Sequence, residues 1–193
     1  MILERDSRLV IISGPSGAGK TTVIQKLMEQ IDLPLTLSVS ATTRPARPDE
    51  QDGVHYLFLS DEEFQQRRAS GDFLECCEVF GGGHWYGTLA TTVTTSLAEG
   101  KWVILEIDVE GTRLVLDRYP DAITVFIRPQ SLEELERRLR ERDTETEDTI
   151  QRRLAIARKE LDAASYYEHH VINESVDQAV ADLSRVLKNQ VNH

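Results

Sequence analysis

Leu9-Val10-Ile11-Ile12-Ser13-Gly14-Pro15-Ser16-Gly17-Ala18-Gly19-Lys20-Thr21 decides how the rest of the chain is read. Four apolar residues without a break, three of them β-branched, suit a short strand buried on both faces. Residues 14–21 then fit G-x-x-x-x-G-K-[ST] with a strand before and a helix after, the setting that this pattern requires. The glycines let the backbone wrap closely, so that consecutive N–H groups and the helix N-terminus point at phosphate oxygens. Lys20 adds a mobile positive charge for the β- and γ-phosphates, and Thr21, with Thr22 beside it, opens the helix and offers a hydroxyl for Mg²⁺. A glycine-rich turn with an exposed lysine is the alternative, and both flanks argue against it. The segment predicts a nucleoside triphosphate site, followed by a helix carrying Val23, Ile24, Leu27 and Met28 inward.

Outward from that loop, strands and helices alternate. Apolar runs predict strands over 35–39, 73–80, 102–105, 122–127 and 170–172. Ser60-Asp61-Glu62-Glu63 reads as a capping box opening a helix of about ten residues that stops near Gly71. Ser131-Leu132-Glu133-Glu134 and Thr144-Glu145-Thr146-Glu147 read as two more. Behind them lie the helical stripes Leu132, Leu135, Leu139 and Ile150, Leu154, Ala157, Leu161. Val176, Val180, Leu183 and Leu187 define a last helix. Residues 41–53 lose all periodicity and collect Pro45, Pro48 and Gly53, which predicts a loop. The alternation argues for a parallel sheet covered on both faces, the α/β class.

The 193 residues are expected to form one domain, or one core with small inserted lobes over 40–95 and 130–155. With 22 basic and 33 acidic residues the formal charge is −11, which argues against coating nucleic acid or an anionic membrane. The only cysteines, Cys76 and Cys77, are neighbours and predict no disulfide framework, hence a reducing compartment and core packing. The first residues are too charged for a signal peptide, and no apolar run approaches the roughly 18 residues of a membrane span. A soluble, cytoplasmic protein is expected.

Further residues suit triphosphate chemistry. Glu106-Ile107-Asp108 brings carboxylates to the C-terminal edge of the sheet, both on one strand face, where one could hold Mg²⁺ or its waters. Arg138 and Arg142 share a helix face, and Arg153 lies on the next helix; arginine is well shaped to spread positive charge over a transferring phosphoryl group. The competing reading is a solvated face of weak ion pairs. Arg44 and Arg47 sit in a proline-limited loop that suits a fixed anion. Tyr56 and Tyr86 offer phenols, and Glu75 a carboxylate at an apolar strand.

Taken in order, S-V-S-A-T-T-R-P-x-R, D-G-V-x-Y, F-L-E, W-Y-G-T, L-E-I-D-V-E-G and V-I-N-E resemble guanylate kinase, from about residue 9 to 187. The resemblance implies a P-loop fold: a parallel five-stranded sheet core covered by helices, an inserted mixed α/β acceptor lobe and a helical lid. It implies a core over about 1–39, 96–130 and 156–193, a GMP-binding lobe over about 40–95 and a lid over about 131–155. The implied reaction is MgATP plus GMP giving MgADP plus GDP, in a monomer or homodimer without nucleic acid or membrane partners. By the same resemblance Arg44, Arg47, Tyr56 and Tyr86 would hold the GMP phosphate, while Ser40, Glu75, Thr88 and Asp108 would read the guanine, with Glu106 nearby. Arg138, Arg142 and Arg153 would be the lid and phosphate arginines, and Asn173 would lie near the adenine.

Three places depart from the family's pattern: a glycine loop around 80–85 about two residues longer, and acidic residues at Asp49 and at Glu141 and Asp143 where glycine is common. The run Asp143, Glu145, Glu147 and Asp148 is expected to hold the lid arginines. Two rivals remain at this point. A non-catalytic binding module of the same fold would not need Lys20, Thr21 or the lid arginines. A P-loop kinase for another phosphorylated acceptor would not need Ser40, Glu75 and Thr88 together.

Overall fold

In the computed structural model, which describes residues 8–78, 83–140 and 147–191, the opening apolar run becomes β1 (Leu9–Ser13), buried along its whole length. Such a strand has no solvent face and needs neighbours on both edges. α1 (Lys20–Gln30) follows and buries Val23, Ile24 and Leu27, with Met28 half-buried. β2 (Leu35–Leu37) is shorter than the strand expected over 35–39. Then come β3 (Ala41–Thr42), β4 (Leu57–Phe58), α2 (Asp61–Ala69), β5 (Phe73–Glu78), β6 (Trp85–Leu89) and α3 (Ala90–Ala98). β7 (Trp102–Glu106), α4 (Val109–Leu116), β8 (Ile123–Arg128), α5 (Leu132–Arg140), α6 (Glu147–Asp162), β9 (His169–Ile172) and α7 (Val176–Gln190) complete the order.

The larger sheet has five strands in the order β2–β7–β1–β8–β9, with β2 parallel to β7 and β8 parallel to β9. The chain divides into two compact units. One comprises residues 8–10 and 34–122 and contains a second, four-stranded sheet ordered β4–β3–β6–β5. There β3 runs parallel to β4 and antiparallel to β6, and β5 pairs antiparallel with β6 through an irregularity between Phe73 and Glu75. The other comprises residues 11–33 and 123–191, where Leu135 and Leu139 of α5 pack with Ile150, Leu154 and Ala157 of α6.

Several expectations need correction. The stretch 41–53 is not all loop: Ala41 and Thr42 are fully buried and pair with Gly87, Tyr86, Leu57 and Phe58. Two residues carry no readable alternation, and their partners are distant in sequence. Helices α3 and α4 are not foreseen from the pattern. α3 is rich in threonine, a poor helix former, and α4 holds Gly111 in its first turn. Glu106 ends β7, whereas Asp108 is already the N-cap of α4, so the two carboxylates do not share a strand face.

The capping motifs divide as well. Ser60 and Glu63 form a full reciprocal box at α2. At α5 the Ser131 hydroxyl accepts the Glu134 N–H at 3.2 Å, but the Glu134 carboxylate turns to Arg137 and Arg138 instead. Thr144 to Thr146 lie outside the described residues.

The four-stranded sheet rests on Ala41, Phe64 and Phe73, with the Phe64 and Phe73 rings stacked at 4.5 Å. Phe64 is wholly buried and is the apolar anchor of α2. Phe64→Ala should therefore cost about 3–5 kcal/mol, checked as a lower urea midpoint.

Candidate active site

The glycine loop fits only because side chains are missing at two points. A Cβ on Gly14 would stand 1.8 Å from the Ile127 carbonyl oxygen of β8. Gly19, with φ 84°, is the N-cap of α1, and a Cβ there would stand 2.5 Å from the Asn173 amide nitrogen. That amide donates to the Ala18 carbonyl at 2.7 Å, tying the loop to the segment after β9. Lys20 folds back over the loop and donates to the carbonyls of Gly14 at 2.6 Å and Pro15 at 3.2 Å.

Two expected arginines lie in the same unit. Arg153 on α6 donates to the Ser16 hydroxyl at 2.6 Å. Arg138 on α5 donates to the Asn173 carbonyl at 2.9 Å and to Glu134 at 2.8 Å. Arg142, Glu141, Asp143 and Glu145 lie outside the described residues. Glu147 is engaged by Arg140, and Arg138 by Glu134. A cavity of about 360 Å³ opens beside the loop, lined by Gly17, Gly19, Thr22, Arg138, Asn173, Glu174 and Val176.

In the other unit, β3 and β6 bring a second set of expected residues together. Arg44 Nε donates to the Tyr86 hydroxyl at 3.2 Å, and its guanidinium lies 5.5 Å from the centre of the Tyr56 ring. The Tyr56 and Tyr86 rings meet edge-on at 5.8 Å. Burial, helped by the negative charge of Glu106, pushes the Tyr56 phenol up to about 12, so it stays a protonated donor. Arg47 is exposed. Glu50, which sequence reasoning passed over, binds Arg44 through both carboxylate oxygens at 2.8 and 2.9 Å. No periodicity points to it; a turn over 47–50 brings it back to the arginine.

The third group centres on a buried carboxylate. Glu75 on β5 is 5% exposed and faces Thr88 on β6 in register, and the Thr88 hydroxyl donates to it at 2.7 Å. Burial, and then the charge of Asp108, pushes the Glu75 carboxyl up to about 7 against the pull of that hydrogen bond. Asp108 accepts the Gly111 N–H at 2.8 Å and the Cys77 thiol at 3.4 Å. Burial and the two carboxylates drive the Cys77 thiol upward, so it remains a proton donor. Cys77 therefore belongs to this cluster and is not core filling as expected; Cys76 does pack on the apolar side. Gly111 was also missed: a Cβ there would lie 3.0 Å from Glu75 Oε2. Ser40 is half-buried between β2 and β3, its carbonyl accepting the Leu57 N–H.

Among the described residues no three His, Cys, Asp or Glu side chains converge as a metal cage, and no helix is long and apolar enough to cross a membrane. The guanylate kinase family model matches residues 6–190. The chain is 55% identical to the guanylate kinase of Rhodopirellula baltica, covering 95% of this chain and 88% of that one. It is 48% identical to the guanylate kinase of Hydrogenovibrio crunogenus, covering 92% and 85%. The crystal structure of guanylate kinase from Anaplasma phagocytophilum aligns with a TM-score of 0.80 at 27% identity, covering all of this chain and 90% of that one. With the family model matching residues 6–190 and likeness to such relatives along nearly its whole length, the chain belongs to the guanylate kinase family.

Proposed function

We propose how the residues of this chain divide the work of an ATP:GMP phosphotransferase, the activity that family membership brings. The observation that carries the assignment is the Glu75 cluster. Guanine presents N1–H and N2–H₂ side by side, two donors that one carboxylate can accept. Adenine lacks the 2-amino group and has a bare N1, which would leave the buried Glu75 unpaired. Sites built around polar groups discriminate strongly for that reason, since the unmatched group bears its full desolvation cost. Thr88 and Asp108 orient and polarise Glu75, and Ser40 and Glu106 complete the set assigned to GMP. Arg44, Arg47, Tyr56 and Tyr86 bind the GMP phosphate.

On the donor side, residues 14–22 wrap the ATP phosphates with main-chain N–H groups, and Lys20 moves from the loop carbonyls onto phosphate oxygens. Arg138 and Arg153, joined by Arg142, spread charge over the transferring group, and Asn173 borders the adenine. Thr21 is a single hard oxygen at the first turn of α1, a donor set that suits Mg²⁺ arriving on the triphosphate rather than a resident metal. When bound, that ion neutralises charge on the phosphates. The GMP phosphate oxygen attacks the γ-phosphorus and ADP leaves with the bridging oxygen. The attacking group is already anionic, so no covalent nucleophile or strong base is needed, and alignment and charge do the rest. Two free cysteines suit a cytoplasmic setting.

The decisive assay is ADP formation from MgATP with GMP, AMP, CMP and UMP offered separately. Turnover with GMP alone is expected. ATP binding without turnover on any of them would point to another acceptor, and neither binding nor turnover would point to a non-catalytic module.

Glu75 also sets a pH dependence of stability. Unfolded, its carboxyl ionises near 4.5; folded, it keeps the proton to about 7. Below the lower value both states are protonated and nothing is lost. As pH rises through the window the unfolded chain ionises first, so stability falls, by on the order of 3 kcal/mol once both are charged. The stability gained by Glu75→Gln should thus be about 2–3 kcal/mol larger at pH 8 than at pH 5, measured by urea unfolding. An equal effect at both pH values would remove the carboxyl as the source.

A further inference from the structure

Glu50 has no place in the roles above, yet its carboxylate holds the arginine on which the acceptor phosphate depends. Both oxygens lie on Arg44 Nη2, at 2.8 and 2.9 Å, and the two side chains are only 15% and 14% exposed. The other Arg44 nitrogens are also engaged, Nε by the Tyr86 hydroxyl and Nη1 by the Pro45 carbonyl at 2.7 Å. Because Tyr86 accepts in that bond, its own hydrogen remains to donate. Glu50 Oε2 further accepts the Arg47 N–H at 2.8 Å, while the Glu50 N–H donates to the Arg47 carbonyl at 3.0 Å. One carboxylate thus closes the turn over 47–50 and joins the main chain of one candidate phosphate arginine to the side chain of the other.

Two roles are open to a carboxylate on a phosphate-binding arginine. It can stand in for the phosphate and leave when substrate arrives, or stay and hold the guanidinium in place. The turn decides between them. Glu50 is anchored by its own main chain and by Arg47 N–H, contacts that do not involve the Arg44 side chain, so leaving would mean undoing the turn as well. We propose that Glu50 is a positioning residue for GMP, fixing the Arg44 guanidinium for the phosphate while the turn at Arg47 holds Glu50 in place; the proposal rests on the assignment of Arg44 to the GMP phosphate. A guanidinium fixed through all three nitrogens has little freedom left to lose on binding, and that saving appears as affinity. The partner is therefore the phosphate of GMP and not its base.

The test compares Glu50→Ala, Glu50→Gln, Arg44→Ala and the double variant Arg44→Ala/Glu50→Ala, using steady-state kinetics for GMP and ATP and calorimetry with guanosine, which lacks the phosphate. Glu50→Ala should raise the KM for GMP about tenfold and leave the KM for ATP and the guanosine affinity within about twofold. Glu50→Gln keeps an acceptor for the Arg47 N–H and should recover part of the loss, to about threefold above the parent. In the Arg44→Ala background, removal of Glu50 should change the KM for GMP by less than about twofold, because its partner is gone. A KM for GMP that stays the same or falls in Glu50→Ala, while Arg44→Ala raises it, overturns the proposal and favours the stand-in role. Guanosine affinity falling in parallel with GMP overturns it too, since the turn would then be supporting the fold alone. An Arg44→Ala variant with the parent KM for GMP would remove the assignment of Arg44 and the inference with it. If Glu50→Ala does not fold, the Gln variant carries the same comparison, and a KM for GMP at the parent value there overturns the proposal.

Discussion

The glycine loop depends on an approach that leaves no room for a side chain: Gly14 lies so close to the Ile127 carbonyl that a Cβ would stand 1.8 Å away. That contact sets the direction in which the chain leaves β1, and so where the following N–H groups point. Gly19 repeats the constraint at the start of α1, where the backbone takes a left-handed conformation against Asn173. The Asn173 amide then fastens Ala18, its carbonyl takes Arg138, and Ser16 takes Arg153. A loop held by close packing and main-chain hydrogen bonds gives preformed donors rather than donors that must be ordered as substrate binds.

In the other unit the governing constraint is electrostatic. Glu75 is buried beside Asp108, and neither burial nor the neighbouring charge favours ionisation. Thr88, the Gly111 N–H and the Cys77 thiol offset part of that cost by donating to the pair. A buried carboxylate held against ionisation in this way gains most from a ligand that supplies two donors. The nearby arginine is treated in the opposite way: Glu50 and Tyr86 surround Arg44 with acceptors, so its charge is held and aimed.

The legible parts of the chain are those whose physics is local. The strand β1, the glycine loop, the Ser60 capping box and the stripes of α6 and α7 each declare themselves within a dozen residues. The illegible parts depend on distant partners. β3 is two residues long and is a strand only because Tyr86, Gly87, Leu57 and Phe58 lie beside it. α3 is a helix despite its threonines, with Val93 wholly buried. Among the site residues, Glu75, Tyr86 and Arg44 are conspicuous from their motifs, whereas Glu50, Cys77 and Gly111 look like an acidic loop residue, a core cysteine and a helix-weakening glycine.

By itself, then, the sequence determines the class of fold and the phosphate loop, because hydrophobic period and glycine placement act through neighbouring residues. It also carries the motifs whose order resembles one family. Only the tertiary structure decides that Glu75 is a high-pKa carboxylate, that Asp108 caps a helix instead of facing Glu106, and that Glu50 belongs to Arg44. Those outcomes follow from burial, from the charge of Asp108 acting on Glu75 across 33 residues of chain, and from hydrogen bonds such as that of Cys77 to Asp108. Desolvation has no signature in a linear pattern, since it depends on what the rest of the chain places around the group.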